Sequence, residues 1–432
     1  MSIELITFFL FGGMMLLMFL GVPAVFAIGG ISVGLALWLE GTKALYILAS
    51  TAFAQVTSMG LLAIPMFIMM ANLLISSGIA DRLFQTLSYW FSRVRGSLAV
   101  VSVVVSTALA MCGGFGPGII TMSMVAIPAM RKRNYDKSLA IGSVMAGGIL
   151  GPIIPPSVMM IVMAYITRLP VGKLFMAGII PGFIAAFAFV IYILVKCYLN
   201  PELAPPLEEE VTWKMRWMSL RGIILPGFLV IGMLVIIFGG IATPTEAAGV
   251  GATGALLCCI LNRTIRWAMI KDSCLETIKV TGMVIWLMIA ANFFRVFFTS
   301  VGARTLIIDI VMAMQVSPWV ILIGMQIMLL VLGMFMDDWA IIVICAPIFF
   351  PLAFKLGFNP IWFAMIFLLN MVIAYLTPPF GWALILTKAL SPPDVSTAEV
   401  WRSAPPFLAI LILVMILVML FPSLVLWLPN LV

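Results

Sequence analysis

A proline-rich break inside an apolar run constrains this chain more than any other feature of its sequence. The stretch 148–157 reads GILGPIIPPS and lies where a membrane-spanning helix is expected. Pro155 and Pro156 have no N–H, so the carbonyls of Gly151 and Pro152 lose their helical donors. Irregular backbone at membrane depth is tolerated only where it is buried in protein or lines a polar cavity. A helix broken at this depth is therefore a candidate ligand site.

The composition places the chain in a membrane. Of its 432 residues, 64% are hydrophobic and only 9% are charged, and no long polar stretch exists to form a soluble domain. Since about 20 apolar residues span a bilayer, a chain of this kind crosses it several times. The net charge of +7 comes from basic residues in short loops, which indicates membrane topology and not a nucleic-acid partner. We predict an all-α polytopic membrane protein in a lipid bilayer.

The apolar segments form two series separated by a polar linker. Landmark residues recur at a nearly constant spacing, which indicates an internal repeat. The pairs are Pro23 with Pro244, Gly78 with Gly302, Pro128 with Pro351, Pro155-Pro156 with Pro378-Pro379, and Pro181 with Pro405. We predict a first repeat at 1–196, a cytoplasmic linker at 197–222 and a second repeat at 223–432.

Each repeat is predicted to contain a re-entrant helical hairpin and a broken transmembrane helix. Segment 98–130 is too long for one span, and its glycine-rich middle divides it into arms too short to cross. Basic residues flank both of its ends, so both ends are predicted to be cytoplasmic. Segment 318–353, interrupted by an Asp-Asp pair, should enter from the opposite face. With broken helices at 138–167 and 360–390, the repeats have inverted topology, which is a transporter architecture.

The hairpin tips and helix breaks are the predicted sites of ligand binding. Free carbonyls at half-helix ends suit Na⁺, and half-helix N-termini favour anionic groups. For any single glycine or proline, bending or close packing is the simpler explanation, but the symmetric set of four breaks favours a site. The predicted Na⁺ ligands are Gly113, Gly151, Ile154 and Pro155 in the first half, and Gly333, Asn370, Ala374, Thr377 and Pro378 in the second. The residues predicted to contact substrate are Gly114, Phe115, Ser157, Asp337, Asp338 and Gly381.

Four charged residues lie within or beside apolar segments. Asp337 and Asp338 could bind a cation, relay protons or cap the following half-helix, because carboxylates at membrane depth are costly and usually functional. Arg295 could pair with an anionic substrate or extend to the membrane surface. Glu246 stands where a helix starts after Pro244, so a structural role at the helix N-terminus explains it.

Missing residues and motifs exclude several classes of function. The chain has no histidine, which removes imidazole metal sites, proton relays and histidine bases. No G-x-x-x-x-G-K-[ST] or G-x-S-x-G motif occurs, so neither P-loop ATP hydrolysis nor serine-hydrolase chemistry is predicted. The six cysteines show no C-x-x-C spacing and are interpreted as small core residues. We predict that the protein is not an enzyme and binds no organic cofactor.

Four motifs resemble the large membrane subunit of the tripartite ATP-independent periplasmic (TRAP) transporters. They are PAMRKRNYDK at 128–137, GILGPIIPPS at 148–157, ATPTEAA at 242–248 and TPPFG at 377–381, and the resemblance extends over essentially the whole chain. It implies an elevator-type, Na⁺-coupled importer of small organic acids, including dicarboxylates, in a bacterial or archaeal inner membrane. It also implies two partners: a small four-helix membrane subunit, and a soluble periplasmic substrate-binding protein that delivers the substrate.

The first hairpin tip departs from the pattern of that family. Members often carry a Ser-Gly-Ser type tip, whereas this chain has CGGFG at 112–116. Na⁺ binding at the tip would then use carbonyls, or the nearby hydroxyls of Ser106 and Thr107. Two alternatives stay open: a stand-alone cation/organic-anion symporter with the same hairpins, and an ion channel.

Overall fold

A computed structural model describes residues 2–113, 115–205, 211–379 and 381–431, without the side chains at 112, 113, 115 and 221. The described residues form an all-α structure, as predicted. Six of the described helices are long and apolar enough to cross a membrane, or seven if the bent helix near the chain's middle counts as one span. The protein is therefore a multi-pass membrane protein.

The first half of the chain supplies ten helices in the described residues. The segment predicted as a hairpin forms two helices that pack against each other, and the segment predicted as a broken helix is interrupted at 149–157. The helices are α1 (Ile3–Phe19), α2 (Ala24–Glu40), α3 (Lys43–Val56), α4 (Ala63–Ser76), α5 (Ile79–Trp90), α6 (Ser97–Gly113), α7 (Phe115–Arg131), α8 (Lys137–Gly148), α9 (Val158–Thr167) and α10 (Val171–Leu199).

The second half repeats this order in its central elements, with a hairpin and then an interrupted helix. Its second hairpin arm has 18 residues and could span a bilayer by length alone. The helices are α11 (Trp213–Phe238), α12 (Pro244–Leu261), α13 (Trp267–Ser300), α14 (Ala303–Ala313), α15 (Pro318–Gly333), α16 (Asp338–Lys355), α17 (Pro360–Tyr375), α18 (Trp382–Leu390), α19 (Thr397–Ser403), α20 (Pro405–Leu420) and α21 (Ser423–Leu426).

Polar residues at helix starts explain where several helices begin. Asp136 caps α8 by accepting from the Leu139 N–H, and Thr243 and Glu246 form a reciprocal capping box at α12. Such caps satisfy N–H groups that have no partner inside the helix. Glu246 therefore has the structural role that the sequence predicted.

Helix extends into segments that the sequence left open or assigned to the linker. The connections at 42–60 and 262–281 are compatible with either an amphipathic helix or a loop by sequence. The structure has a separate helix, α3, in the first, whereas the second runs continuously into the following span as α13. Within 197–222, α11 already begins at Trp213, whose ring packs edge-on against Trp90.

The described helices pack as two groups, each drawn from both halves of the chain. The α13 group consists of α1–α5 and α11–α14, with its main contacts between α4 and α12 and between α13 and α2, α3 and α4. The hairpin group consists of α6–α10 and α15–α21, with α6, α7 and α8 packed tightly together and α17 in contact with α10, α15 and α20. The groups meet chiefly where α4 and α5 contact α6, and where α13 contacts α16.

An ion-pair cluster joins the two sequence halves inside the hairpin group. Arg131 and Lys137, after the first hairpin, pair with Asp394 in the loop between α18 and α19. Lys137 also reaches Glu399 at 3.1 Å. The hydrogen bond from Arg131 is the main cause that lowers the pKa of the Asp394 carboxyl from its ordinary value of 3.8.

We expect Asp394→Asn to lower the melting temperature of the purified protein by about 1–2 °C at neutral pH, because half-exposed ion pairs contribute little individually. A lowered folded-state pKa stabilises the fold above pH 3.8, and this stabilisation is lost as the pH falls through the lowered value. Thermal unfolding of the variant and of Asp309→Asn, an exposed carboxylate on α14 without an ion pair in the described residues, checks this. Equal shifts in both variants would contradict a specific role for Asp394.

Candidate functional site

A cavity of about 270 Å³ lies between the two helix groups. The α13 group contributes Asn72 of α4 and Met283 of α13. The hairpin group contributes Gly116 of α7, Ser157 at the first break and Trp339 of α16. A largely apolar wall with a few polar groups is typical of ligand sites. The first hairpin, the first broken helix and the second hairpin thus converge on one cavity.

Ser157 fixes the geometry of the first break at the cavity wall. Its hydroxyl donates to the Pro152 carbonyl at 3.1 Å and accepts from the Met160 N–H at 3.4 Å, so that it caps α9. Val158 and Met159, in the first turn of α9, also line the cavity. The positive end of the α9 dipole is therefore close to the cavity, where it favours a negative group.

Several carbonyls of the first break have no donor in the described part of the chain. Residues 149–157 are all buried, and the hydrogen bonds within the stretch use the carbonyls of Leu150 and Pro152. The carbonyls of Gly151, Ile154 and Pro155 receive none from described residues. Buried carbonyl oxygens without a donor are the ligands that a desolvated alkali ion needs.

Close helix packing encloses this break. A Cβ atom at Gly178 of α10 would lie 2.2 Å from the Ile153 carbonyl oxygen, and one at Gly147 would lie 2.3 Å from the Val103 carbonyl oxygen. The same added Cβ at Gly147 would lie 2.8 Å from the Cβ of Ser106 in α6. The buried Ser106 hydroxyl has no partner in the described residues. Thr107 next to it donates to the Gly147 carbonyl at 3.2 Å.

The second break is more open than the first. Thr377 donates its hydroxyl to the Ile373 carbonyl at 2.8 Å, whereas Pro378 and Pro379 are exposed. The tip of the second hairpin packs here, since a Cβ at Gly333 would lie 2.5 Å from that of Ala374. The carbonyl of Ala374 accepts from the Thr377 N–H at 3.1 Å. The structure therefore joins the hairpin tip to the break.

Asp338 and Tyr375 connect the second hairpin to both broken helices. Asp338 is buried at the start of α16, and its carboxyl accepts a hydrogen bond from the Tyr375 hydroxyl at the end of α17. The same hydroxyl lies 3.7 Å from the sulfur of Met159, which lines the cavity. Asp337 occupies the N-cap position of α16 without a side-chain cap hydrogen bond.

Asn370 is held one turn before Ala374 by a buried amide pair. Its Nδ2 donates to the backbone and side-chain oxygens of Gln326 at 2.8 and 2.9 Å. The Asn370 Oδ1 has no partner in the described residues. This side-chain oxygen is available for a ligand.

The sequence matches the family described as "Tripartite ATP-independent periplasmic transporter, DctM component" over residues 11–424. The chain belongs to the TRAP transporter large permease family. It is accordingly a transport subunit of the inner membrane and not an enzyme.

Similar permeases are known from several bacteria. The chain is 34% identical to a C4-dicarboxylate TRAP transporter large permease protein of Pseudomonas aeruginosa, over 93% of both chains. It is 29% identical to a sialic acid TRAP transporter large permease protein of Vibrio cholerae, over 96% of both. An isethionate TRAP transporter permease protein of Oleidesulfovibrio alaskensis is 28% identical over 96% of this chain and 65% of that protein.

Two solved structures share the fold. The Neisseria gonorrhoeae MtrF structure, whose description concerns antimetabolite efflux pumps, superposes with a TM-score of 0.65 at 13% identity, over 89% of this chain and 85% of that one. The Alcanivorax borkumensis YdaH transporter gives a TM-score of 0.60 at 14% identity, over 89% of both. The TRAP permease thus has a fold that is found in other transporters.

The structure brings together only some of the residues predicted to contact substrate in this TRAP permease. Ser157 lines the cavity, and Asp337 and Asp338 directly precede Trp339, which lines it. Phe115 begins α7 next to Gly116, but its side chain, like the whole of Gly114, lies outside the described residues. Gly381 does not line the cavity. It caps α18 with a positive φ of 41°.

The predicted Na⁺ ligands form two separate sets. Gly151, Ile154 and Pro155 lie in the enclosed first break, with Ser106 at the adjoining junction. Gly113 is the last residue of α6, and the next residue, Gly114, lies outside the described residues. The second set lies around the contact between the hairpin tip and α17, and consists of Gly333, Asn370, Ala374, Thr377 and Pro378.

Sequence reasoning missed the contribution of the α13 group to the cavity. Asn72 is the clearest omission, because a polar side chain in an apolar segment is a recognisable signal. Its Nδ2 donates to the Thr277 hydroxyl of α13 at 3.2 Å. Tyr375 could have been noticed as the tyrosine beside the second break, but its pairing with Asp338 depends on tertiary structure.

We expect Gly178→Ala to lower the free energy of unfolding by about 1–3 kcal/mol and to impair transport, because the added methyl group collides with the Ile153 carbonyl. The matched control is Gly34→Ala on α2, where a Cβ meets nothing within 4 Å and alanine favours the helix by about 0.5–1 kcal/mol. Thermal unfolding in detergent measures both. A neutral Gly178→Ala would show that α10 does not restrain the break.

We expect Tyr375→Phe to destabilise the protein by about 1–3 kcal/mol, because the buried Asp338 carboxyl loses a hydrogen-bond donor. Tyr198→Phe is the control, since Tyr198 is 76% exposed and should tolerate the change. The comparison is made by thermal unfolding and by transport rate. If the two variants behave alike, the link between the second hairpin and α17 is not important.

Proposed function

We propose that this TRAP permease is the transport subunit of a secondary active importer that moves a small organic acid together with Na⁺. The cavity between the helix groups carries the proposal, because the first turn of α9 lies at its wall and the donor-free carbonyls belong to the break that directly precedes α9. It accounts for an anionic substrate and a cation bound close together. Their charges partly neutralise each other, which lowers the cost of leaving water.

Two observations support an organic acid as the substrate. The relatives are described as permeases for C4-dicarboxylate, sialic acid and isethionate, each an organic acid that is anionic at neutral pH. In this chain, the N-terminal turn of α9 and the Ser157 hydroxyl at the cavity provide the positive dipole end and a polar group for such an anion.

The proposed Na⁺ ligands are the carbonyls of Gly151, Ile154 and Pro155, supplemented by the Ser106 hydroxyl. Ser106 replaces the serines that the first hairpin tip lacks, and its buried oxygen has no other partner among the described residues. A second Na⁺ would bind near the tip at Gly333, where the Asn370 Oδ1 has no partner in the described residues.

For the transport movement we propose an elevator mechanism built on inverted repeats. The hairpin group carries both breaks and most of the cavity wall, and would move against the α13 group, which contributes the opposing wall. This division agrees with the packing, because contacts are more extensive within each group than between them. The substrate and the ion would travel with the hairpin group.

We propose two partners for the complete transporter. One is a small four-helix membrane subunit, and the other a periplasmic binding protein that delivers the acid. The isethionate permease is named DctMQ, and this chain accounts for 65% of its length, which is consistent with a fused small subunit in that relative.

The proposal is tested by uptake into liposomes that contain this chain and its small subunit. Thermal-shift screening of the cognate binding protein first identifies the acid. With the loaded binding protein outside, we expect accumulation that requires an inward Na⁺ gradient and stops when K⁺ replaces Na⁺. Accumulation that ignores the Na⁺ gradient would overturn the coupling.

Two controls separate the alternatives. Uptake without the binding protein would favour a stand-alone symporter, and steady single-channel currents in a planar bilayer would favour an ion channel.

A further inference from the structure

A second cavity, of about 490 Å³, lies on the same boundary between the helix groups as the main cavity. Its lining includes three arginines, Arg168 after α9, Arg295 of α13 and Arg304 of α14, and no acidic side chain. None of the three forms an ion pair within the described residues. The cavity therefore concentrates positive charge that no carboxylate of the described residues neutralises.

The usual distribution of basic residues does not explain this cluster. In the topology that the sequence predicts, the basic loop before α8 is cytoplasmic, and α8 and α9 together lead from Lys137 to Arg168 across the membrane. Arg168 then lies on the periplasmic side, where lysine and arginine are ordinarily less frequent. A cleft lined by one sign of charge focuses the field and attracts ions of opposite sign.

A narrow polar constriction adjoins this cavity and shares Arg295 with it. The constriction has a volume of about 20 Å³ and is also lined by Gln55, Tyr165 and Asn292. Asn292 accepts from the Arg295 guanidinium at 2.8 Å, and Gln55 accepts from the Tyr165 hydroxyl at 3.2 Å. The Gln55 Nε2 is buried without a partner in the described residues. Two donor groups, a guanidinium and an amide, thus remain for an anion.

Helices α9, α13 and α16 each line the main cavity, then the constriction, then the arginine-lined cavity. Along α13, Met283 lines the main cavity, Asn292 the constriction and Thr299 the arginine-lined cavity. At 1.5 Å per residue, Met283 and Thr299 are about 24 Å apart along the helix. Helices α9 and α16 show the same succession. The three spaces therefore lie in series along the boundary.

We infer that the arginine-lined cavity is a periplasmic vestibule that collects the carboxylate substrate, and that Arg295 positions it at the constriction leading to the main cavity. This inference rests on the proposed transport of an organic acid. A guanidinium binds a carboxylate with two parallel hydrogen bonds, and three arginines that form no ion pair in the described part of the chain raise the local concentration of anions.

The vestibule can be tested without any transported substrate. Thr299→Cys places a thiol at the vestibule, and Ser317→Cys places one at the start of α15, outside it. The full-length proteins are treated with methanethiosulfonate reagents that carry either a sulfonate or a trimethylammonium group. Peptide mass spectrometry measures the modification rate at each engineered position separately from the native cysteines.

We expect the anionic reagent to be favoured at position 299 by about tenfold relative to position 317, the lower end of the enhancement for a charged cleft. Arg295→Gln combined with Arg168→Gln should abolish the preference, and high salt should weaken it. Equal preferences at both positions, or a preference that survives loss of the arginines, would overturn the vestibule.

Transport kinetics test the role of Arg295. Arg295→Gln should raise the KM for the acid more than it lowers kcat, and Arg295→Lys should partly restore the KM. Arg266→Gln, at the other end of the α13 region, is the matched control and should leave the KM unchanged. An unchanged KM in Arg295→Gln would overturn the positioning role. Absence of uptake by the wild-type protein would instead overturn the proposed function, and the thiol experiment would still decide the vestibule.

Discussion

Backbone carbonyls without helical donors, held inside an apolar fold, are the constraint on which the rest of this structure depends. In hydrocarbon, each unsatisfied backbone group costs several kcal/mol, so the stretch 149–157 cannot face lipid. Glycines in α8 and α10 let neighbouring backbones approach closely enough to exclude lipid from it. The packing of α6, α7, α8 and α10 follows from this need, and the chain keeps small residues where a methyl group would collide.

The two breaks place their backbone carbonyls in different surroundings. The first is fully buried, so water does not reach the carbonyls of Gly151, Ile154 and Pro155, whereas Pro378 and Pro379 of the second are exposed. Exposed carbonyls can be hydrated at little cost, but enclosed ones favour a bound cation. The two breaks are therefore unequal, and the proposed need for an ion is stronger at the first break.

The sequence was informative wherever a local rule of backbone chemistry applied. Prolines without N–H groups located both helix breaks, and Pro244 with Glu246 located a capped helix start. It was uninformative where distant residues meet. Nothing local to Asp338 specifies Tyr375 as its partner, and Asn72 acquires a position at the cavity only because α4 packs beside α13. Helix α11 begins at Trp213, inside the predicted linker, and the Trp213 ring packs against Trp90, which is distant in the sequence.

In the proposed mechanism, the boundary between the helix groups would also separate the substrate path from the ion sites. The proposed ion ligands are backbone carbonyls together with the side chains of Ser106 and Asn370. All of them belong to the hairpin group, so they would move together if that group moves. The arginines are shared instead: Arg295 and Arg304 belong to the α13 group, and Arg168 to the hairpin group. A movement of one group against the other would change the spacing of these charges, and would thereby alter the attraction for an anion as the cavity changes sides. If the groups move as proposed, the positive charge at the boundary is therefore coupled to that movement, whereas the spacing of the enclosed carbonyls is independent of it.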